Sequence, residues 1–480
     1  MKKKIVRRAA VFMAVLLAAG GCQRYEPIPE SDQMMEAGDG KEDSGLERTD
    51  GEDGAAGAAY EKTDDLAGAE ADLEGMAAGD GSQEDLLGKS SGSAGEEDEA
   101  IMIRTVPERT PVKVKGIYVS AYTAGTEAMM DEIIRRIDET ELNAVVIDVK
   151  DDNGRITFEM DAPAVQEIGA CVNYIPDMPK LSAKLKEHDI YMIARIPAFR
   201  DPYLADAKPE WCCKLADGSV FRDRNQLAWV NPYKKEVWDY LIQIAKKAGE
   251  AGFDEIQFDY IRFCTEKGMN KVVFDEADTE GRSRQEIILE FTEYAYEQLS
   301  EEGLFVSADV FGAVIGGGVD AAAVGQDYRE MAGRLDYICP MIYPSHYGDG
   351  NFGIPHPDTQ PYDTILGALT ASKEDLMVLE AEAEEERSGA TGPQEQEAGR
   401  TGGEAAAIVR PWLQDFTASY LKHYIHYGPE QVRQQIQAVY DAGYEEWILW
   451  SAAVNYHYDG LLPAEEVLEE EQEEAEEKDS

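Results

Sequence analysis

Two aspartates lie late in short apolar segments of the sequence. Asp259 ends the run 256–259 (IQFD), and Asp309 lies in 307–312 (SADVFG). If the two segments are neighbouring strands of one sheet, their carboxyl groups can approach to about 5–9 Å, the separation that glycoside hydrolysis uses. That reaction needs one ionised carboxylate and one carboxyl group kept protonated by a less polar setting or a nearby like charge. The pair therefore predicts acid–base chemistry on a glycosidic bond.

Arg262 bears on the first of these carboxylates. It lies three residues after Asp259 and would keep that carboxylate ionised if the strand end bends the arginine inward. A purely structural alternative is that Asp259 and Arg262 form an ion pair at the rim of the sheet, while Asp309 only accepts hydrogen bonds there. Buried carboxylates are costly without partners, so several of them at one edge favour a polar pocket.

The elements that must position these side chains alternate along the chain. Eight β-branched runs predict strands, at 114–120, 144–149, 190–196, 255–263, 304–311, 336–343, 407–412 and 446–452. Helical patterns lie between them, at 126–140, 177–188, 233–251, 283–302, 326–334, 361–377 and 428–442. This alternation predicts an α/β fold, a (β/α)8 TIM barrel, with an open doubly wound sheet as the alternative. No G-x-G-x-x-G follows the first strand, which disfavours a dinucleotide site.

In a barrel the active site lies at the carboxyl ends of the strands. Further polar and aromatic side chains are expected there: Tyr118, Ser120, Asp148, Lys150, Arg195, Arg262, Tyr343, His346, Arg410, Asp415 and Trp450. Aromatic rings suit the apolar C–H faces of sugars, and a pocket combines apolar walls with a few convergent polar groups. Six of these side chains are predicted to bind a carbohydrate substrate: Asp148, Arg262, Tyr343, His346, Asp415 and Trp450. The segment 148–154 (DVKDDNG) lacks EF-hand spacing and is predicted to be a turn.

The amino terminus has the features of a secretory signal over residues 1–21. Five basic residues precede an apolar run at 9–19, and two glycines precede Cys22. The run is too short to cross a bilayer as a helix, which takes about 20 residues. Cysteine directly after small residues resembles a bacterial lipobox, which implies that Cys22 is lipidated and that the chain is extracytoplasmic and anchored to the cell membrane. Simple secretion is the alternative.

The net charge of −51, from 96 acidic and 45 basic residues, disfavours nucleic acid as a partner because phosphates require a basic surface. Much of the acidic excess lies outside the alternating region. Residues 22–110 are predicted to be a disordered acidic linker, since they are rich in Gly, Ala, Ser, Asp and Glu. The folded domain is predicted at 111–463, with a low-complexity surface loop inserted at 380–404. Residues 464–480 are predicted to be a disordered acidic tail.

The other cysteines suggest neither a zinc site nor a disulfide framework. They are Cys171, Cys212, Cys213, Cys264 and Cys339, and no two have C-x-x-C spacing. None of the six histidines pairs at H-x-x-x-H spacing, which disfavours a metal-dependent hydrolase or deacetylase. We therefore expect no metal and no other cofactor.

Six ordered segments resemble the bacterial "putative glycoside hydrolase" domain family of the glycosidase TIM-barrel superfamily. The likeness extends over about residues 112–463, and its motifs lie at 143–158 (NAVVIDVKDDNGRITF), 254–263 (DEIQFDYIRF), 307–312 (SADVFG), 340–347 (PMIYPSHY), 410–416 (RPWLQDF) and 443–452 (GYEEWILWSA). The resemblance implies a surface-anchored TIM barrel that hydrolyses glycosidic bonds of a poly- or oligosaccharide. A non-catalytic carbohydrate-binding lipoprotein on the same scaffold is the alternative.

The resemblance also implies roles for individual carboxylates. Asp259 matches the position at which related barrels place a nucleophile, and Asp309 fits a position used for the acid. Asp415 resembles a third carboxylate that holds substrate hydroxyls in some of those barrels. Cys264 stands where the family usually has proline, which changes the rigidity of the loop rather than the chemistry.

Overall fold

The computed structural model describes residues 109–389 and 406–467. The predicted signal, Cys22, nearly all of the linker, residues 390–404 of the predicted insertion and the tail beyond residue 467 lie outside the described residues. No helix in the described ranges is both long enough and apolar enough to cross a bilayer.

Eight parallel strands close into a barrel, which confirms the predicted fold. Each strand pairs with the next, and the last pairs with the first, as in Lys115 opposite Trp447. The strands are β1 Lys115–Val119, β2 Ala144–Asp148, β3 Tyr191–Pro197, β4 Glu255–Asp259, β5 Phe305–Phe311, β6 Tyr337–Met341, β7 Trp412–Gln414 and β8 Trp447–Trp450. A two-residue segment, Ile408–Val409, pairs with the start of β6 ahead of β7. Outside the barrel, Lys214–Leu215 and Val272–Val273 form a short antiparallel ribbon.

Helices connect the strands. They are α1 Ala121–Gly125, α2 Glu127–Asp138, α3 Pro163–Ile168, α4 Met178–Glu187, α5 Pro202–Ala207, α6 Lys235–Glu250, α7 Glu276–Thr279, α8 Arg284–Ser300, α9 Val319–Val324, α10 Tyr328–Ala332, α11 Pro361–Gly389 and α12 Pro429–Asp441. The apolar residues of α6 show why the chain packs this way. Val237, Leu241, Ile244, Ala245 and Ala248 are buried at helical spacing, so one face of α6 packs against the barrel.

The prediction of a surface loop at 380–404 is wrong for residues 380–389, because α11 continues to Gly389. Residues 380–386 read EAEAEEE, and Ala and Glu are strong helix formers. The low complexity of this segment was therefore a weaker guide than its helix propensity.

The seventh predicted strand, 407–412, is interrupted at Arg410 and Pro411. Proline lacks the N–H that a continuous strand pairing needs. Arg410 was expected at the carboxyl ends of the strands, but it is fully buried in the barrel interior. Its Nη1 lies 2.9 Å from both carboxylate oxygens of Glu255, and its Nε lies 2.8 Å from Glu446 Oε2. Glu255 begins β4 and Glu446 precedes β8. The ion pairs of Arg410 therefore lie at the amino-terminal ends of the strands, away from the predicted site.

Candidate active site

Asp259 and Asp309 lie side by side at the carboxyl end of the barrel. Strands β4 and β5 pair with Phe258 opposite Ala308, so the next residue on each strand lies at the same level. Neighbouring strands are about 4.8 Å apart, and residues at one level of a parallel pair point to the same face. Both aspartates are buried, with Asp309 only 2% exposed. The tertiary structure therefore brings together the two carboxyl groups that the sequence singled out.

Arg195 is the partner of Asp259. From β3 it donates two hydrogen bonds to Asp259 Oδ2, from Nε at 3.0 Å and from Nη2 at 2.5 Å. Its Nη1 donates to Asp148 Oδ1 at 2.7 Å, and Nη2 also reaches Asp152 at 3.0 Å. Charge-assisted hydrogen bonds of this kind are stronger than neutral ones, so Arg195 holds Asp259 as an ion-paired carboxylate. The sequence predicted Arg195 at the carboxyl end of a strand, but Arg195 was not among the predicted catalytic or substrate-binding residues.

Arg262 does not pair with Asp259. Its guanidinium lies over three aromatic rings, 4.4 Å from the centroid of Phe311, 5.0 Å from Tyr260 and 5.1 Å from Trp229. The chain turns directly after Asp259, because Tyr260 has a positive φ of 47°. The rim ion pair considered for Asp259 and Arg262 is therefore replaced by packing on aromatic rings, and the substrate-binding role of Arg262 stays a prediction.

Asp309 lies in a different setting from Asp259. Trp412 on β7 donates its indole N–H to Asp309 Oδ1 at 2.6 Å. Burial raises the pKa of Asp309 well above its usual range, and the neighbouring charge of Asp259 raises it further. An indole N–H can only donate, so Asp309 Oδ1 accepts this hydrogen bond. The site thus places an ion-paired carboxylate beside a carboxyl group whose burial favours its neutral form.

Asp148 occupies the other side of Arg195. Tyr118 donates its hydroxyl to Asp148 Oδ2 at 2.5 Å, and burial raises the pKa of Asp148 to about 6 against the opposing charge of Arg195. The ring of Tyr118 lies 4.4 Å from that of Trp450, which in turn meets Trp412 edge-on at 5.6 Å. These rings form an apolar wall that connects Asp148 to the side of the site that holds Asp309.

Tyr343 and His346 follow β6. Burial raises the pKa of Tyr343 well above its usual range, and the negative charge of the Asp309–Asp259 pair adds to the shift, so its hydroxyl stays protonated. Burial lowers the pKa of His346 to about 3, which keeps its imidazole neutral. His346 packs 5.1 Å from Tyr343 and has its Nδ1 3.1 Å from Ser345 Oγ. Tyr343 therefore lies near the carboxyl pair, and the substrate-binding roles expected for Tyr343 and His346 stay predictions.

The carboxylate of Asp415 binds the loop that follows β8. Its Oδ2 accepts the backbone N–H of His457 at 2.9 Å, and its Oδ1 lies 2.5 Å from His457 Nδ1. The Asp415 side chain is fully buried in these contacts. It thus fixes the segment that follows β8, and the expected contact with substrate hydroxyls stays a prediction.

The turn predicted after β2 is confirmed. Asp151 Oδ1 accepts the backbone N–H groups of Asn153 and Arg155, both at 2.9 Å, in the manner of an Asx turn. In the described part of the chain no three His, Cys, Asp or Glu side chains are grouped to hold a metal ion. The five cysteines outside the amino-terminal region have free thiols.

Eight parallel strands in a closed barrel, with two neighbouring carboxyl groups at their carboxyl ends, form an arrangement that barrel glycoside hydrolases use. The chain belongs to the family described as "Putative glycosyl hydrolase domain", which matches residues 116–456. This match confirms the family resemblance of the sequence motifs and places the protein among the glycosyl hydrolases by family.

Solved structures with similar chains include proteins of several bacteria. A hypothetical protein from Ruminiclostridium thermocellum is 41% identical and covers 40% of this chain and 97% of its own, with a TM-score of 0.38. The glycoside hydrolase domain of PgaB (BpsB) from Bordetella bronchiseptica is 12% identical and covers 71% and 94%, with a TM-score of 0.48. The α-galactosidase TtGalA from Thermus thermophilus is 13% identical and covers 77% and 62%, with a TM-score of 0.43. No curated protein matches this chain.

Proposed function

We propose that the barrel hydrolyses glycosidic bonds of a poly- or oligosaccharide, with Asp309 as general acid and Asp259 as nucleophile or base. The observation that carries the proposal is the contrast between the two carboxyl groups. Arg195 pairs with Asp259 as a carboxylate, while burial and the charge of Asp259 raise the pKa of Asp309. Neighbouring titratable groups whose settings favour opposite protonation states are the mark of an acid–base pair.

The geometry supports a definite first step. The proton of neutral Asp309 passes to the glycosidic oxygen as the bond from that oxygen to the anomeric carbon breaks. Positive charge then develops on the sugar ring, and the carboxylate of Asp259 either bonds to the anomeric carbon or removes a proton from an attacking water. Net reaction consumes one water and releases two sugar ends. Arg195 orients Asp259, and the rings of Tyr118 and Trp450 offer apolar surface to the sugar.

The proposal is tested by profiling the purified full chain on a panel of oligosaccharides and polysaccharides. Asp259→Asn and Asp309→Asn should each lower turnover by about 10²–10⁴-fold, the contribution of a positioned acid or base. Asp239→Asn, at an exposed position on α6, is the matched control and should retain activity. Turnover that survives both site substitutions would remove these residues from the mechanism. Glycan binding by the wild type without any turnover would favour the non-catalytic carbohydrate-binding alternative.

We further propose that the chain is anchored to the cell membrane through a lipid on Cys22. The support is the sequence alone: a basic start, a short apolar run and a cysteine after small residues. Residues 22–110 would then hold the barrel away from the membrane surface as a charged spacer. Cys22→Ser should move the protein from the membrane fraction to the medium or the soluble extracytoplasmic fraction, and unchanged membrane fractionation would contradict the anchor.

A further inference from the structure

The exposed aromatic side chains of the described residues lie at one end of the barrel. They are Tyr122, Tyr420 and Tyr424, exposed by 68%, 41% and 38%. Tyr122 is in α1, directly after β1, and the two other tyrosines are in the segment 416–428, which follows β7. Strands β1 and β7 both pair with β8, so the segments that carry these tyrosines follow the strands on either side of β8. This is the rim at which Asp259 and Asp309 lie.

The segment 416–428 is held firmly although its tyrosines are exposed. Asp358, which is buried, accepts hydrogen bonds from Gln414 Nε2 at 3.1 Å and from the backbone N–H of Ile425 at 3.3 Å. The hydroxyl of Tyr427 donates to the backbone carbonyl of Asp358 at 3.2 Å. The exposed rings are thus presented by a backbone that is already ordered, which reduces the entropy cost of binding a ligand.

Two imidazoles extend this aromatic surface across the next loop. His356, from the loop after β6, stacks on His423 with ring centroids 3.9 Å apart and an interplanar angle of 17°. His426 lies edge-on to Tyr424 at 6.0 Å. Flat ring surfaces therefore run from the β6 loop to the segment after β7.

The rim has two chemically different halves. Strands β2 to β5 carry Arg195 and three buried aspartates, which are Asp148, Asp259 and Asp309, whereas the loops after β6, β7 and β1 carry the exposed rings. A saccharide chain presents both hydroxyl groups and apolar C–H faces, so it matches the two halves together. A single sugar unit held at Asp259 and Asp309 would leave the exposed rings unused.

We propose that Tyr122, Tyr420, Tyr424 and the stacked His356–His423 pair form a glycan-binding surface, here called the aromatic rim, for sugar units beyond the one that is cleaved. The inference rests on the proposed function and deepens it, since it assigns the site a chain of several sugar units as substrate. The occupant is a polysaccharide segment that crosses the rim and enters the site between Asp259 and Asp309.

The test separates binding from turnover by using the full chain with Asp259→Asn as background. The probes are insoluble cellulose, chitin, xylan and peptidoglycan in pull-down assays. Adding Tyr420→Ala and Tyr424→Ala together should weaken retention on the bound polymer by roughly 4- to 100-fold, because each ring contact is worth roughly a factor of two to ten. Replacing both tyrosines with phenylalanine should preserve retention, since the ring supplies the contact. Met377→Ala, which removes an exposed apolar side chain on α11, is the matched control.

The outcomes distinguish this inference from the proposed function. Retention that is equal in the alanine and background proteins, or no retention on any of the four polymers, would overturn the aromatic rim. Tyrosine-dependent retention in a protein whose wild type cleaves none of the polymers would support the rim and count against the hydrolase. Tyrosine-dependent binding to phospholipid vesicles without binding to polymer would assign the surface to a membrane and overturn the inference.

Discussion

Replacing Asp309 with asparagine should make the protein more stable while it removes activity. The amide has the same shape as the acid and still accepts the indole N–H of Trp412, whose Nε1 lies 2.6 Å from Asp309 Oδ1 in the wild type. Burial and the charge of Asp259 raise the pKa of Asp309 above the value of about 3.9 that an aspartate has in an unfolded chain. Deprotonation therefore favours the unfolded chain, so the wild type loses stability as the pH rises from about 4 through the folded pKa.

The size of this effect follows from linkage. Each unit of pH between the unfolded and folded pKa costs about 1.4 kcal/mol, so the loss between about pH 4 and about pH 7 is at most about 4 kcal/mol. The hydrogen bond from Trp412 and the charge of Arg195 both lower the pKa of Asp309 and reduce this figure. We expect Asp309→Asn to gain about 1–4 kcal/mol over the wild type at neutral pH and little at about pH 4.

Urea unfolding of both proteins at a series of pH values measures the difference directly, without a substrate. The free energy of unfolding should fall with pH more steeply in the wild type than in Asp309→Asn, and Asp239→Asn should follow the wild type. Parallel curves for the wild type and Asp309→Asn would show that Asp309 does not have a raised pKa. The assignment of this residue as general acid would then lose its physical basis.

Three further substitutions test neighbouring parts of the structure. Trp412→Phe removes a hydrogen bond that lowers the pKa of Asp309, so the alkaline limb of the kcat/KM profile should move up by about one pH unit; an unmoved limb would argue against Asp309 as the acid. Arg410→Met leaves Glu255 buried without its cation and should lower the free energy of unfolding, measured with urea, by about 3–5 kcal/mol. A loss below about 1 kcal/mol would contradict the buried ion-pair network. Burial raises the pKa of Asp148 to about 6, so deprotonation of this group destabilises the folded wild type. In thermal unfolding, Asp148→Asn should therefore be more stable than the wild type above about pH 6 and equal to it below about pH 4. Equal stability at all pH values would refute this.

The sequence alone determined the order and kind of the main elements. Continuous β-branched runs and 3.6-residue periodicity are local properties, so seven of the eight barrel strands and the main helices could be read from them. The seventh strand was expected at 407–412 and lies at Trp412–Gln414. The positions of Asp259 and Asp309 late in two successive strands already predicted that they would meet. The break at Arg410 and Pro411 was also visible in principle, because proline interrupts the pairing of a strand.

Only the tertiary structure decided which side chains surround each carboxyl group. Arg195 pairs with Asp259 because β3 lies beside β4 in one particular register, and Trp412 reaches Asp309 across the barrel interior. A shift of one residue along a strand would turn each of these side chains to the opposite face. The protonation states depend on burial and on charges that are distant in the sequence, and the chain order contains neither. The sequence thus singled out the two aspartates, while the closed barrel decided that Arg195 pairs with Asp259 and that burial raises the pKa of Asp309.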